Sequence, residues 1–126
     1  MACVRDIMKK EIIVAKISDR IQRISKILTE KKINNIPVIN EKNELVGIVS
    51  EQDIIRIMGS ENFMNMTAKD IMTKAVLSVK ENDSLEYISK IFTERPFRRL
   101  PVIRAKKVVG VITREDIINN FMSDYY

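Results

Sequence analysis

The chain has 126 residues, enough for one compact domain or two small ones packed together, and its 45% hydrophobic and 31% charged residues exclude a disordered tail. Lys+Arg number 22 against 17 Asp+Glu, a net charge of +5 that is spread over both halves and concentrated in neither terminus. Every apolar run is too short and too interrupted by charge to span a bilayer, and residues 1–20 lack a signal-peptide core, so a cytoplasmic protein without membrane contact is expected.

The first element is a short helical turn at Asp6-Ile7-Met8. "EIIVAKI" (11–17) follows, rich in β-branched residues, and reads as a strand. Asp19 then opens a helix whose apolar positions, Ile21, Ile24, Ile27 and Leu28, recur at helical spacing. "IPVI" (36–39) is a strand beginning beside Pro37, a placement that strands tolerate. The turn "NEKNE" leads into the strand "LVGIV" (45–49), and a helix begins at Ser50 and carries Ile54 to Met58. "GSENFMNMT" (59–67) is a linker. Beyond it the same order returns: Asp70-Ile71-Met72, the strand "AVLSV", a helix opened by Asp83 with Leu85, Ile88, Ile91 and Phe92, the strands "LPVI" and "VVGVI", and a helix from Thr113 through Ile117–Met122.

The offset between copies is 64 residues from Asp6 and Asp70 onward and 63 at Gly47 and Gly110, so one residue is missing from the second strand–strand turn, where deletions are cheap. The chain is therefore a tandem of two β-α-β-β-α repeats, 1–60 and 61–126, and its class is α/β (α+β). A three-stranded unit of this size is marginal alone. Packing two copies through their sheets, with pseudo-two-fold symmetry, is the expected remedy, and it generates two equivalent clefts.

Each copy carries Gly-x-x-Ser/Thr-x-x-Asp, as "VGIVSEQDII" (46–55) and "VGVITREDII" (109–118). Ser50 with Asp53, and Thr113 with Asp116, have the spacing of a capping box, in which hydroxyl and carboxylate satisfy each other's amides. The same residues suit a sugar: a carboxylate accepts two hydroxyls of a diol, and a hydroxyl can donate to a phosphate or sugar oxygen. Both readings stand on the motif alone. Gly47 and Gly110 mark either a bulge or a place where another backbone or a ligand comes close. Met8, Met58, Met72 and Met122 read as core or interface filler. The single cysteine excludes an internal disulfide, and with no histidine neither a zinc site nor the usual acid–base machinery is available, so no enzyme is expected.

The tandem order, the Asp-Ile-Met openings, the Pro-Val-Ile strands and the twice-repeated Gly-x-x-Ser/Thr-x-x-Asp resemble a cystathionine β-synthase (CBS) domain pair, the Bateman module, from about Val4 to Met122. The resemblance implies a regulatory sensor of adenosine-containing ligands (AMP, ADP, ATP or S-adenosylmethionine), held as ligands and not as catalytic cofactors. It assigns ribose and phosphate contacts to Ser50, Asp53, Thr113 and Asp116. It further implies phosphate contacts from a basic pair before the proline strand, Arg98 and Arg99, where the first repeat has Asn34 and Asn35. The adenine pocket is implied near Ile12 and Val14, or Thr73 and Val76. The chain carries no attached enzyme, channel or transporter, so a stand-alone module regulating a separate, unknown protein is expected. The breadth of the apolar helices around Ile54–Met58 and Ile117–Met122 points to a homodimer. An alternative reading is nucleic-acid binding through the basic segment 95–107, which holds six basic residues and no acid.

Overall fold

The structure is a computed structural model and describes residues 2–125. Two three-stranded sheets form, one in each compact unit: residues 13–76 make one unit, and residues 1–12 with 77–126 make the other. These units do not coincide with the expected boundaries of 1–60 and 61–126. The opening segment of each repeat lies with the body of the other.

In the unit of residues 13–76, β1 (Ala15–Lys16) pairs in parallel with β2 (Asn35–Ile39), and β2 pairs antiparallel with β3 (Leu45–Ser50). The helix α2 (Ile21–Lys31) crosses between β1 and β2, burying Ile21, Ile24 and Leu28 against Ile36, Val38 and Val49. It ends where Lys32 takes a left-handed conformation. After β3 comes α3 (Glu51–Ile57), and α4 (Ala68–Ile71) completes the unit, with Ala68 fully buried.

The other unit repeats the plan. Here β4 (Val79–Lys80) pairs in parallel with β5 (Arg99–Arg104), which pairs antiparallel with β6 (Lys107–Thr113). Between β4 and β5 runs α5 (Leu85–Glu94), which buries Ile88, Ile91 and Phe92 on Leu100, Val102 and Ile112. The last helix is α6 (Arg114–Met122), and α1 (Val4–Ile7) adds the buried Val4.

Several expectations are corrected in detail. The strands read at 11–17 and 75–79 shrink to two residues each, and the second is shifted to Val79–Lys80. Parallel pairing begins at Val38 and Val102, and the residue before each is a proline, with no N–H to offer a ladder. Asp19 and Asp83 do not cap helices. Their carboxylates accept from the amides of Lys16 and Lys80 at 2.8 Å and close the turn after each short strand. The N-caps are Arg20 and Ser84, and the Ser84 hydroxyl accepts from the Tyr87 amide. Met58 is exposed, not core.

The missing residue falls where expected. The β2–β3 turn is folded around the Asn40 side chain, whose carbonyl accepts from the amides of Lys42 and Glu44, and Asn43 has φ 65°. The β5–β6 turn is the two residues Ala105 and Lys106, both at positive φ, the tight hairpin geometry that follows strand twist.

Both antiparallel ladders slip by one residue next to the repeat glycines, after the pairs Val38–Gly47 and Val102–Gly110. The glycines also permit a close approach. A Cβ on Gly47 would sit 2.5 Å from Met72 Sδ; one on Gly110 would sit 2.6 Å from Met8 Sδ and 2.9 Å from the Lys9 carbonyl oxygen. Each Asp-Ile-Met segment thus lies across the other repeat's glycine strand. Its aspartate caps its own turn: Asp6 accepts from the Cys3 amide and Asp70 from the Thr67 amide, both at 2.8 Å.

Candidate functional site

The strand–helix junction after β6 brings together Thr113, Asp116 and Arg99 of the expected residues. Thr113 Oγ1 accepts from the Asp116 amide at 3.2 Å, and Asp116 Oδ2 accepts from the Thr113 amide at 2.9 Å. The junction after β3 matches it: Ser50 Oγ accepts from the Asp53 amide at 3.2 Å, and Asp53 Oδ2 accepts from the Ser50 amide at 2.9 Å. The capping box is therefore formed in both copies. It engages only one oxygen of each aspartate, and a carboxylate has about four acceptor positions, so capping and ligand contact are compatible.

The second oxygen of each aspartate is bound to a cation, and the two copies supply it differently. Asp116 Oδ1 accepts from Lys9 Nζ at 2.6 Å, and the same ammonium donates to Thr113 Oγ1 at 3.3 Å. Asp53 Oδ1 accepts from Arg56 Nη1 at 3.2 Å, one helical turn on. Asp53 is the buried charged residue of the core, 5% exposed. Neither cation was among the expected site residues. Arg56 was legible, since an i, i+3 pair on a helix is a neighbour by spacing. Lys9 was not, because its partner is 107 positions away.

The placement of Lys9 comes from backbone pairing. Its amide donates to the Val111 carbonyl at 2.8 Å and its carbonyl accepts from the Val111 amide at 2.9 Å, which holds the residue beside β6 two positions before Thr113. In the other unit Thr73 makes the equivalent bridge to Ile48, at 2.8 and 2.9 Å, two positions before Ser50.

Arg99 pairs across the ladder with Thr113, within electrostatic reach of Asp116 though not in an ion pair with it. Burial lowers the Arg99 pKa from its ordinary value, and the Asp116 charge opposes that shift. Arg98 is exposed, and its carbonyl accepts from the Arg114 amide. Arg114 also donates to the carbonyls of Phe97 and Arg95, at 2.7 and 3.1 Å, and so fastens the approach to β5. The sites of Asn34 and Asn35 are the counterparts, with Asn35 paired to Ser50. Of the residues expected near adenine, Ile12 falls in the unit of Asp116, and Val14, Thr73 and Val76 in the unit of Asp53. An open cavity of about 500 Å³, lined among others by Lys80, Asp83 and Arg104, contains none of the expected residues.

The CBS domain pattern matches residues 4–60 and again 68–123. The chain belongs to the CBS domain family. Among solved CBS pairs, the crystal structure of CBSX2 in complex with AMP is 28% identical, covers 100% of both chains and superposes with a TM-score of 0.86; CBSX2 is a CBS-pair protein of Arabidopsis thaliana. The CBS pair of protein MJ0100, in complex with 5′-methylthioadenosine and S-adenosyl-L-methionine, is 29% identical over 98% of each chain, with a TM-score of 0.79. Protein MJ1225 of Methanocaldococcus jannaschii is 29% identical over 97% of this chain but only 44% of its own length. The L-aspartate semialdehyde sulfurtransferase of the same organism is 30% identical, and this CBS pair corresponds to 23% of it. The chain thus spans less than half of these two curated relatives.

Proposed function

We propose that this CBS pair is a regulatory module that binds adenosine-containing ligands and carries out no chemistry on them. Asp53 and Asp116 accept the ribose hydroxyls, Ser50 and Thr113 stand beside ribose or phosphate, and Arg99, with Arg98 behind it, attracts phosphate. The observation that carries the reading is the Asp116 junction. One strand pair, one helix start and the Lys9 segment bridged to β6 bring a carboxylate, a hydroxyl, an ammonium and a guanidinium together, which is the donor and acceptor set a phosphorylated ribose requires. The binding of AMP by CBSX2, and of S-adenosylmethionine by the MJ0100 pair, supports the same ligand class. For the adenine ring, Ile12 and Val14, or Thr73 and Val76, are the proposed neighbours.

The repeats of 1–60 and 61–126 form one module, and binding alters its contacts with a further protein chain. A homodimer is supported by apolar side chains left exposed on the helices, Ile55 on α3 and Ile118 and Phe121 on α6. A cytoplasmic setting fits the single, unpaired Cys3, and no helix among the described residues is long and apolar enough to cross a membrane.

Titration calorimetry with AMP, ATP and S-adenosylmethionine tests the proposal. A ligand present at about a hundred times its dissociation constant raises stability by roughly 2.7 kcal/mol, which a melting curve also detects. If all three leave both heat and melting unchanged at millimolar concentration, the module is not an adenosine sensor.

A further inference from the structure

Both aspartates hold a cation, but the surroundings differ in charge. Among the described residues Asp53 is ion-paired with Arg56, and the adjoining positions are neutral, Thr73 and Asn35. Asp116 is paired with Lys9, and Arg99, across the ladder from Thr113, adds a second cation within electrostatic reach, so this junction keeps one positive charge that Asp116 does not balance. The two cations also differ in freedom. Lys9 is fixed through its backbone by the Val111 bridge, while its side chain is 52% exposed and able to swing; Arg99 is half-buried in the ladder.

We propose that Lys9 determines which ligand the Asp116 site selects, acting as a displaceable counter-ion that favours phosphorylated over uncharged adenosine compounds. This rests on the adenosine-binding reading above. Before binding, the Lys9 ammonium fills the Asp116 and Thr113 oxygens that a ribose would use. Ribose hydroxyls take its place on Asp116. A phosphate then gives the released ammonium a new partner beside Arg99, whereas adenosine leaves it without one. Uncharged ligands therefore pay the loss of the ion pair, and phosphorylated ones recover it.

The magnitudes are modest and of opposite sign. An ion pair half open to water changes an equilibrium by up to about fivefold, so removing Lys9 relieves adenosine by that much. A hydrogen bond to a charged group is worth roughly ten- to a hundredfold, so removing Lys9 costs AMP about tenfold after the same relief is subtracted. The Asp53 site lacks both effects, because Arg56 sits on the same helix as its aspartate and the ladder and bridge neighbours are the neutral Asn35 and Thr73.

Calorimetry with AMP and adenosine, on the full chain carrying Asp53→Asn to silence the other site, compares Lys9→Met with Lys9 present. The expected result is tighter adenosine, weaker AMP, and a fall in the AMP-to-adenosine ratio of at least about tenfold, steepest at low salt. Lys9→Arg keeps the charge and restores most of the ratio. Should Asp53→Asn not fold, two-site fits with Asp53 intact read the same ratio at the tighter phosphate site. If the parent binds both ligands and Lys9→Met leaves the ratio within about twofold, or weakens both ligands equally, the role of Lys9 is overturned while adenosine binding stands. If no protein in the series binds either ligand, the adenosine reading itself falls, and Lys9 with it.

Discussion

Replacing either repeat glycine with alanine separates a local bulge from the crossing of one repeat's opening segment over the other. Neither glycine has a positive φ, so alanine fits the backbone at both sites and gains about 0.4–1 kcal/mol by restricting the unfolded chain. The added methyl meets different neighbours. At Gly47 it strikes only the Met72 side chain, with Sδ at 2.5 Å and Cγ at 2.8 Å, atoms at the flexible end of a residue that repacks readily. At Gly110 it strikes Met8 Sδ at 2.6 Å and also the Lys9 carbonyl oxygen at 2.9 Å, which accepts from the Val111 amide while the Lys9 amide donates to the Val111 carbonyl. Overpacking against fixed atoms costs about 1–3 kcal/mol. Gly110→Ala should therefore lose on the order of 1–2 kcal/mol net, and Gly47→Ala should lie within about 1 kcal/mol of the parent. Urea denaturation at unchanged m-value measures both. Adding Met72→Ala to Gly47→Ala should show a favourable coupling of roughly 0.5 kcal/mol or more, whereas Met8→Ala should rescue Gly110→Ala only in part, since the carbonyl remains. If Gly110→Ala is as stable as the parent, or Met8→Ala rescues it fully, the Lys9 backbone does not lie against β6 as described.

Asp53→Ala removes a buried acceptor from the Ser50 amide and strands Arg56; a loss of about 1–2 kcal/mol in urea is expected, from the cap and the unsatisfied amide, and a loss under 0.3 kcal/mol would refute the pairing. Asp6 is held below its ordinary value of 3.8, chiefly by the Cys3 amide. Its contribution to stability is present above that value and is lost as pH falls through the lower folded value, so Asp6→Asn should flatten the acid limb of the stability profile and leave the neutral region parallel to the parent. Phe121→Lys and Ile118→Lys place charge on exposed apolar positions of α6 and should shift light-scattering mass toward the monomer; a parent that is monomeric at all concentrations rules out the dimer.

Much of the fold is decided locally and was legible from residues close together. The β-α-β-β-α order follows from hydrophobic periods, and the single deletion announced the turn that became Ala105-Lys106. The capping boxes of Ser50 with Asp53 and Thr113 with Asp116 are legible from i, i+3 spacing, and those of Cys3 with Asp6 and Thr67 with Asp70 follow the same rule, because a helix start needs its free amides satisfied whatever surrounds it. The partner of Asp53 was available by the same rule. Other features needed the tertiary structure. The segments 11–17 and 75–79 have strand composition, yet pairing limits each strand to two residues, since a strand exists only where a neighbour supplies hydrogen bonds. Sequence alone also placed each Asp-Ile-Met with its own repeat, and nothing local contradicts that. The exchange brings Met8 and Met72 close against Gly110 and Gly47, contacts that no local pattern specifies. That exchange carries Lys9 to Asp116 and Thr73 to the Asp53 unit. Two sites that look alike as motifs thus acquire different charge, because a motif specifies only its own side chains, while the ions facing them are chosen by which distant segment packs alongside.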